Sequence, residues 1–149
     1  MCKPTIYIAG SSRDLERAKR AMALAEECGF KIQYDWVAAI EANGGRANED
    51  VDEATAIRAS RSCLMAAVEA DVMWCLLDPV HRSPGMHAEL GARVSTEYCR
   101  DLYFTGPEPY ASIYYAHGIY AGLEDRSVRS SLLGLAHYIA QRGRTRRVA

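Results

Sequence analysis

The sequence predicts one α/β domain, a three-layer sandwich in which a mostly parallel, five-stranded sheet lies between two layers of helices. Short β-prone runs alternate with stretches of helical periodicity, and short glycine-containing links separate several of them. The run "DVMWCLL" is apolar on both faces, which is typical of a strand inside a parallel sheet. The 149 residues, 49% of them hydrophobic, suffice for a single domain spanning 1–149.

The first half of the chain is expected to hold two strands and two helices. "TIYIA" ends at Gly10 and predicts the first strand, and "SSRDLERAKRAMALAEECG" predicts the first helix. "FKIQYDW" predicts a second strand that ends at Trp36. "VAAIEANGGRANED" is expected to be a loop, because its asparagine and glycines break regular structure, and "EANGGRANED" within it is the natural lid. "VDEATAIRASRSCLMAAVEA" predicts the second helix.

The second half continues the alternation. "DVMWCLL" and "DLYFTG" predict strands, and "GMHAELGARVSTEYC" and "SVRSSLLGLAHYIAQRG" predict helices. Between the last strand and the last helix lies an aromatic, turn-rich segment in which a short strand or helical turn is expected from Ser112 to Ala116.

Charge and cysteine usage exclude several classes of protein. A formal net charge of -1 gives no overall attraction to a nucleic acid polymer or an anionic membrane. No apolar run has the length of a membrane span, and the first ten residues do not resemble a signal peptide, so a cytoplasmic protein is expected. Five scattered cysteines without a CxxC favour reduced thiols, and His81 and His87 more often line a loop than bind a metal. We therefore expect no metal and no cofactor.

The turn "GSSRD" after the first strand is a candidate anion site. Ligands in parallel α/β sheets bind at the carboxyl ends of the strands, where this turn, the loop "DPVHRSPG" and the segment around Ser112 are expected to converge. Gly10 permits a tight turn. Ser11 and Ser12 offer hydroxyls, and their backbone amides are expected at the start of the first helix. Arg13 adds a guanidinium group.

An ordinary structural role for the same turn remains open. Ser11 and Asp14 can form a helix capping box while Arg13 is solvated. No Walker loop or dinucleotide-binding fingerprint occurs in the sequence.

The segment "SPGMHAELG" is a candidate catalytic element. Gly85 lets backbone amides approach a ligand, and Glu89 is expected in the first turn of the next helix, where the helix dipole would keep it ionised at neutral pH and able to act as a nucleophile. An acidic residue in a first turn is also ordinary helix chemistry, so both interpretations stand on spacing alone.

Three stretches resemble the nucleoside 2-deoxyribosyltransferase superfamily, and most closely its 2'-deoxynucleoside 5'-phosphate N-hydrolase branch. They are "IYIAGSSR", "EADVMWCLLDPVHRSPGMHAELGARVS" and "ASIYYAHG". The resemblance implies a Rossmann-like, flavodoxin-like fold. It implies that Glu89 attacks C1' of the sugar and displaces the base, with Tyr7 close to the nucleophile. Water then releases the sugar phosphate.

The resemblance also implies a nucleoside 5'-monophosphate as the substrate. Ser83 stands where the hydrolases carry a phosphate-binding serine and the transferases commonly carry an aspartate. Ser11 and Arg13 match the hydrolase turn, and Gly85 matches a glycine that lies against the sugar phosphate. Ser112 matches a serine that a second subunit contributes in a homodimer.

Cys63 departs from the family pattern, since it stands where an aspartate is expected to assist the departing base. Asp35, Asp78 or His87 could supply the proton instead, or the base could leave without much help. A deoxyribosyltransferase acting on free nucleosides, a non-catalytic nucleotide-binding module and an enzyme for another ribosyl compound remain alternatives. Trp36 is expected to stack on a base or to belong to the core.

Overall fold

The structure, a computed structural model, describes residues 2–96, 101–107, 118–122, 124 and 126–148. Strands and helices alternate along it. The strands are β1 (Thr5–Ala9), β2 (Lys31–Ile32), β3 (Val72–Leu76), β4 (Asp101–Thr105) and β5 (Ile119–Tyr120). The helices are α1 (Leu15–Glu27), α2 (Trp36–Ala42), α3 (Glu53–Glu69), α4 (Pro84–Val94) and α5 (Arg126–Val148), with a 3-10 turn at Asn48–Asp50.

The strands lie in the order β2-β1-β3-β4-β5, and every neighbouring pair is parallel. This is a doubly wound order whose direction reverses between β1 and β3. The parallel α/β arrangement predicted from the sequence is confirmed. Three strands of five residues form the centre of the sheet, while β2 and β5 are edge pairings of two residues each. The strand or turn expected at Ser112 to Ala116 lies outside the described residues.

The central strands form the core because nearly all of their side chains are buried. Every residue of β3 is buried, as expected for a strand covered on both faces. Trp74 meets Tyr103 edge to face at 5.8 Å between ring centroids, and its indole Nε1 donates to Thr105 Oγ1 at 2.8 Å. The largest core side chain thus keeps its polar atom satisfied.

Contacts between helices pair α1 with α5 and α3 with α4. The Cys28 thiol at the end of α1 donates to the Arg129 carbonyl of α5, and Arg93 of α4 donates to the Ala67 and Ala70 carbonyls at the end of α3. Right-handed crossovers in this strand order place the two pairs on opposite faces of the sheet, as in a Rossmann-like sandwich.

Polar clamps hold the amino edge of the sheet. The Asp71 carboxylate accepts from the Thr5 backbone N–H at 2.8 Å, and Thr5 Oγ1 accepts from the Asp71 N–H at 3.0 Å. The buried Arg93 guanidinium donates to the carbonyls of Asp71 and Asp101, both at 3.1 Å. These bonds fix the starts of β1, β3 and β4 relative to one another, so the loops at the opposite edge begin from a rigid frame.

The segment after β2 differs from the sequence prediction. The second strand ends at Ile32, and the predicted strand end at Trp36 is wrong because Asp35 caps a helix, its carboxylate accepting from the Ala38 N–H at 2.8 Å. The first part of the expected loop, including the first two residues of the expected lid, is therefore α2. Trp36 and Val37 are buried on its inner face, and Gly44 and Gly45, with φ of 72° and 78°, follow the helix.

Candidate active site

A cavity of about 800 Å³ opens at the carboxyl ends of β1 and β3, where the strand order reverses. Its size is that of a small-molecule site. Ten residues singled out in the sequence line it: Tyr7, Gly10, Ser11, Ser12, Arg13, Trp36, Cys63, Ser83, Gly85 and Glu89. Ser112 lies outside the described residues. The structure thus brings together side chains from β1, α2, α3, α4 and two loops.

Tyr7 and Glu89 form the polar centre of this cavity. The Tyr7 hydroxyl donates to Glu89 Oε2 at 3.1 Å. Tyr7 is 1% exposed in the middle of β1, so its ring cannot move without disturbing the sheet. Burial raises the pKa of Glu89 to about 7, and the hydrogen bond from Tyr7 opposes that rise. The carboxyl group therefore changes charge near neutral pH, within range of use as a nucleophile or as an acid and base.

The predicted position of Glu89 in the first turn of its helix is wrong. Helix α4 begins at Pro84 with Ser83 as its N-cap, so Glu89 is in the second turn, and no acidic residue occupies the first. The field of a helix terminus falls off within the first turn. Burial, not the helix dipole, is the main influence on this carboxyl group.

Cys63 lies beside the same tyrosine. Its thiol interacts with the Tyr7 hydroxyl, and burial raises the pKa of the thiol to about 11, with the Glu89 charge adding to the rise. Burial also raises the pKa of Tyr7 far above its ordinary value. Both groups are therefore neutral at pH 7, and Cys63 is a much weaker acid than the aspartate expected there.

Ser83 joins the two loops at one end of the cavity. Its hydroxyl donates to the Gly10 carbonyl at 3.2 Å and accepts from the Met86 N–H at 3.2 Å, so it links the turn after β1 to the start of α4. Arg82 lines the cavity beside it and Arg13 lines it from the turn after β1. Two guanidinium groups and several hydroxyls suit an anionic group of the size of a phosphate.

The turn after β1 has a different hydrogen-bond pattern from either one expected. Helix α1 begins at Leu15 with Asp14 as N-cap, its carboxylate accepting from the Arg17 N–H at 3.1 Å. The backbone amides of Ser11 and Ser12 therefore do not lie at the start of the helix, and Ser11 is not the capping residue. Ser11 Oγ instead accepts from the Arg13 N–H at 3.2 Å and stabilises the turn itself.

Aromatic and apolar side chains of α2 and its neighbours line another part of the cavity. They include Tyr34, Trp36, Ala39 and Ile40. The Trp36 indole donates to the Ile8 carbonyl at 2.7 Å and the residue is 7% exposed, so it belongs to the core although it also lines the cavity. The core interpretation of Trp36 is confirmed, and stacking on a base stays a prediction.

Three polar residues of this region were not identified from the sequence: Asn43, Arg46 and Glu49. They are spaced three residues apart, and all were assigned to a lid. That spacing is the only signal the sequence offered. The sequence gives no signal for Arg82 either, because it stands among loop residues with no periodicity.

The alternative proton donors do not line the cavity. Asp35 caps α2, and the Asp78 carboxylate accepts from the Val80 and His81 amides at 2.8 and 3.1 Å. His87 Nδ1 lies 2.9 Å from the Ser83 carbonyl on the exposed side of α4. Of the carboxylates in the described part of the chain, Glu89 and Glu49 line the cavity.

Within the described residues, no three His, Cys, Asp or Glu side chains are placed to hold a metal ion. No helix among those residues has the length and apolar character needed to cross a membrane. Comparison with protein-family models and with curated proteins yields no match for this sequence.

Proposed function

We propose that the protein is an N-glycosidase that hydrolyses the bond between base and sugar in a (2'-deoxy)nucleoside 5'-monophosphate. The observation that carries this proposal is the Tyr7 hydroxyl donating to Glu89 Oε2 at 3.1 Å inside a cavity of about 800 Å³. The resemblance of "ELG" and its preceding strand to the hydrolase branch assigns that carboxylate the role of nucleophile.

In the proposed reaction the ionised Glu89 attacks C1' as the C–N bond breaks. The bonding electrons leave with the base, and an ester between Glu89 and the sugar forms. Water then attacks C1' as the ester bond breaks, which regenerates the carboxylate and releases the sugar 5-phosphate. The proton that this water loses balances the one that the departed base takes up from the solvent. Tyr7 holds the attacking carboxylate in place and favours its charged form.

The phosphate is assigned to the end of the cavity that Ser83 organises. Ser11, Ser12 and Ser83 provide hydroxyls there, and Arg13 and Arg82 provide positive charge. An aspartate at position 83 would repel a phosphate, so Ser83 favours a monophosphate over the free nucleoside used by the transferase alternative.

The test is a panel of ribo- and deoxynucleoside monophosphates with the matching nucleosides, incubated with the pure protein and analysed for free base by chromatography. We expect release from monophosphates by the wild type, and a loss of at least about 1000-fold in Glu89→Gln because no nucleophile remains. If base is released only from nucleosides, and is exchanged when a second base is added, the protein is a transferase and not a hydrolase.

A non-catalytic nucleotide-binding module is the second candidate, and Cys63 is the observation that favours it. A buried thiol with a pKa of about 11 does not supply the proton that an aspartate would. This alternative would be established if calorimetry shows that the wild type binds monophosphates with micromolar affinity and chromatography shows no base release over hours.

We also propose a homodimer in which Ser112 reaches the site of the second subunit, on the resemblance of "ASIYYAHG" alone. Light scattering gives the oligomeric state. Mixing Glu89→Gln with Ser112→Ala should restore activity to some of the sites, because a mixed dimer contains one site with both native residues. A monomeric protein would contradict the proposal.

A further inference from the structure

Arg46 and Glu49 reach the cavity from the segment between α2 and α3. Asn43, the C-cap of α2, also lines the cavity, and its carbonyl accepts from Arg46 Nε at 3.0 Å. Gly44 and Gly45 lie between them with positive φ. Only residues without a side chain adopt that conformation at little cost, so this turn directs Arg46 and Glu49 back to the cavity.

This part of the cavity differs from the phosphate end. Its other lining residues, such as Tyr34 and Ile40, present flat or apolar surface, whereas Arg13 and Ser83 come from the loops after β1 and β3. A nucleotide with its sugar at Glu89 and its phosphate near Ser83 would place its base against the aromatic and apolar surface. Arg46 is hydrogen-bonded to the Asn43 carbonyl at the end of α2, the helix that also supplies Ile40.

A departing base carries the electron pair of the broken bond. The expected carboxylic acid is absent at Cys63, and Asp35, Asp78 and His87 do not line the cavity. None of these residues is placed to donate a proton to that electron pair. A fixed cation can stabilise developing negative charge without transferring a proton.

We propose that Arg46 binds the base of the substrate and stabilises it as it departs, an inference that rests on the proposed function. The C–N bond breaks, its electron pair spreads over the base, and the guanidinium donates hydrogen bonds to the atom that carries the charge. The base then takes a proton from water.

This role selects a class of substrate. Negative charge on a departing base is best carried by a ring carbonyl oxygen, and guanidinium donors match such an oxygen. Glu49 can accept from the ring N–H beside that carbonyl. The substrate is therefore a nucleotide whose base contains a carbonyl next to an N–H, such as hypoxanthine, guanine or uracil, in preference to adenine or cytosine.

The test compares two pairs of monophosphates that differ only in this feature, IMP with AMP and UMP with CMP, in ribo and 2'-deoxy forms. Base release is measured as kcat and KM for wild type, Arg46→Gln and Arg46→Lys. Arg58→Gln is the matched control, because Arg58 is exposed, contacts Thr55 on α3 and does not line the cavity.

For the wild type we expect faster release from the member of each pair whose base has a carbonyl beside a ring N–H, which is IMP in one pair and UMP in the other. Arg46→Gln should lower kcat for that member by about 100-fold and for the other member by less than about tenfold, which removes the preference. Arg46→Lys should recover part of kcat because it restores the charge, and Arg58→Gln should match wild type.

Two results separate this inference from the proposed function. If wild type releases base but Arg46→Gln lowers kcat equally for both members of a pair, or leaves it unchanged, the inference is wrong and the glycosidase stands. If wild type releases base from no monophosphate, the glycosidase itself is wrong, and the role of Arg46 is overturned with it.

Discussion

The Tyr7 hydroxyl donates a hydrogen bond to Glu89 Oε2 over 3.1 Å and joins residues that are 82 positions apart in the chain. Strand β1 holds the tyrosine almost completely buried, and helix α4 carries the glutamate to it. Burial favours the protonated carboxyl group and the hydrogen bond favours the carboxylate, with the result that the pKa of Glu89 is about 7. The following predictions depend on that balance and on the cavity around it.

Replacing Tyr7 with phenylalanine should shift the pH dependence of base release. The hydrogen bond lowers the pKa of Glu89, so its loss raises that pKa further, and the ionised nucleophile forms only at higher pH. We expect the rising limb of kcat/KM against pH, near 7 in the wild type, to move to higher pH. Activity at pH 7 should fall about 10- to 100-fold.

The exposed Tyr138, replaced by phenylalanine in the same way, is the control and should leave the profile unchanged. An unshifted limb in Tyr7→Phe would mean that the tyrosine does not influence the charge of Glu89.

Glu89→Gln should stabilise the fold at alkaline pH. The pKa of Glu89 is raised from 4.5 to about 7 on folding, so the folded state holds the proton more tightly than the unfolded state. Glu89 therefore does not lower the free energy of unfolding below pH 4.5, and it lowers that free energy progressively as the pH rises through 7. The loss is about 3 kcal/mol above pH 8. Glutamine is neutral and avoids it.

Urea denaturation between pH 4 and 9 measures this effect. The difference in free energy of unfolding between Glu89→Gln and wild type should grow from near zero to a plateau above pH 8, while the exposed Glu26→Gln should show no such trend. A difference that does not vary with pH would show that the carboxyl group is not desolvated.

Ser83→Asp should weaken monophosphate binding without weakening nucleoside binding. Aspartate is a good N-cap, so the start of α4 is preserved, and the new charge repels the phosphate. We expect a loss of about 10- to 100-fold in monophosphate affinity by calorimetry. Ser83→Asn is the matched control, since asparagine also caps a helix and carries no charge. Equal affinities of the two variants for monophosphate would place the phosphate elsewhere.

Cys63→Asp should assist the departure of bases that lack a ring carbonyl. A carboxyl group beside Tyr7 and Glu89 would be buried near another negative charge, which keeps one of the two protonated at neutral pH. We expect release of adenine from dAMP to rise about tenfold relative to Cys63→Asn, and release from dIMP to rise less. Equal rates of the two variants on dAMP would show that position 63 does not reach the base.

The sequence predicted the central framework well because its signals are local. "TIYIA" and "DVMWCLL" are strands within a residue or two of the predicted bounds, and α1 and α3 follow their apolar periodicity. Ten proposed site residues also line one cavity, since parallel strands bring their carboxyl ends to one edge of the sheet.

The errors have two causes, which are local capping signals that the pattern obscures and contacts that only the tertiary fold creates. The sequence pattern places Asp35 in a strand although it caps α2, and it places Glu89 in a first turn although Glu89 is the sixth residue of α4. The pKa of Glu89 depends on burial by residues distant in the chain. Arg46 and Glu49 enter the cavity only because a turn after α2 returns the chain to it. Local patterns in the sequence do not contain the burial of Glu89 or the return of the chain at Arg46 and Glu49.

In the proposed reaction Glu89 becomes covalently attached to the sugar. The most direct test of this attachment is to mix wild type with a monophosphate that it hydrolyses, quench with acid within milliseconds to seconds, and map modified peptides by mass spectrometry. We predict that the peptide containing Glu89 gains the mass of the sugar phosphate less one water, and that Glu89→Gln shows neither adduct nor base release. Base release at the wild-type rate by Glu89→Gln would contradict the account.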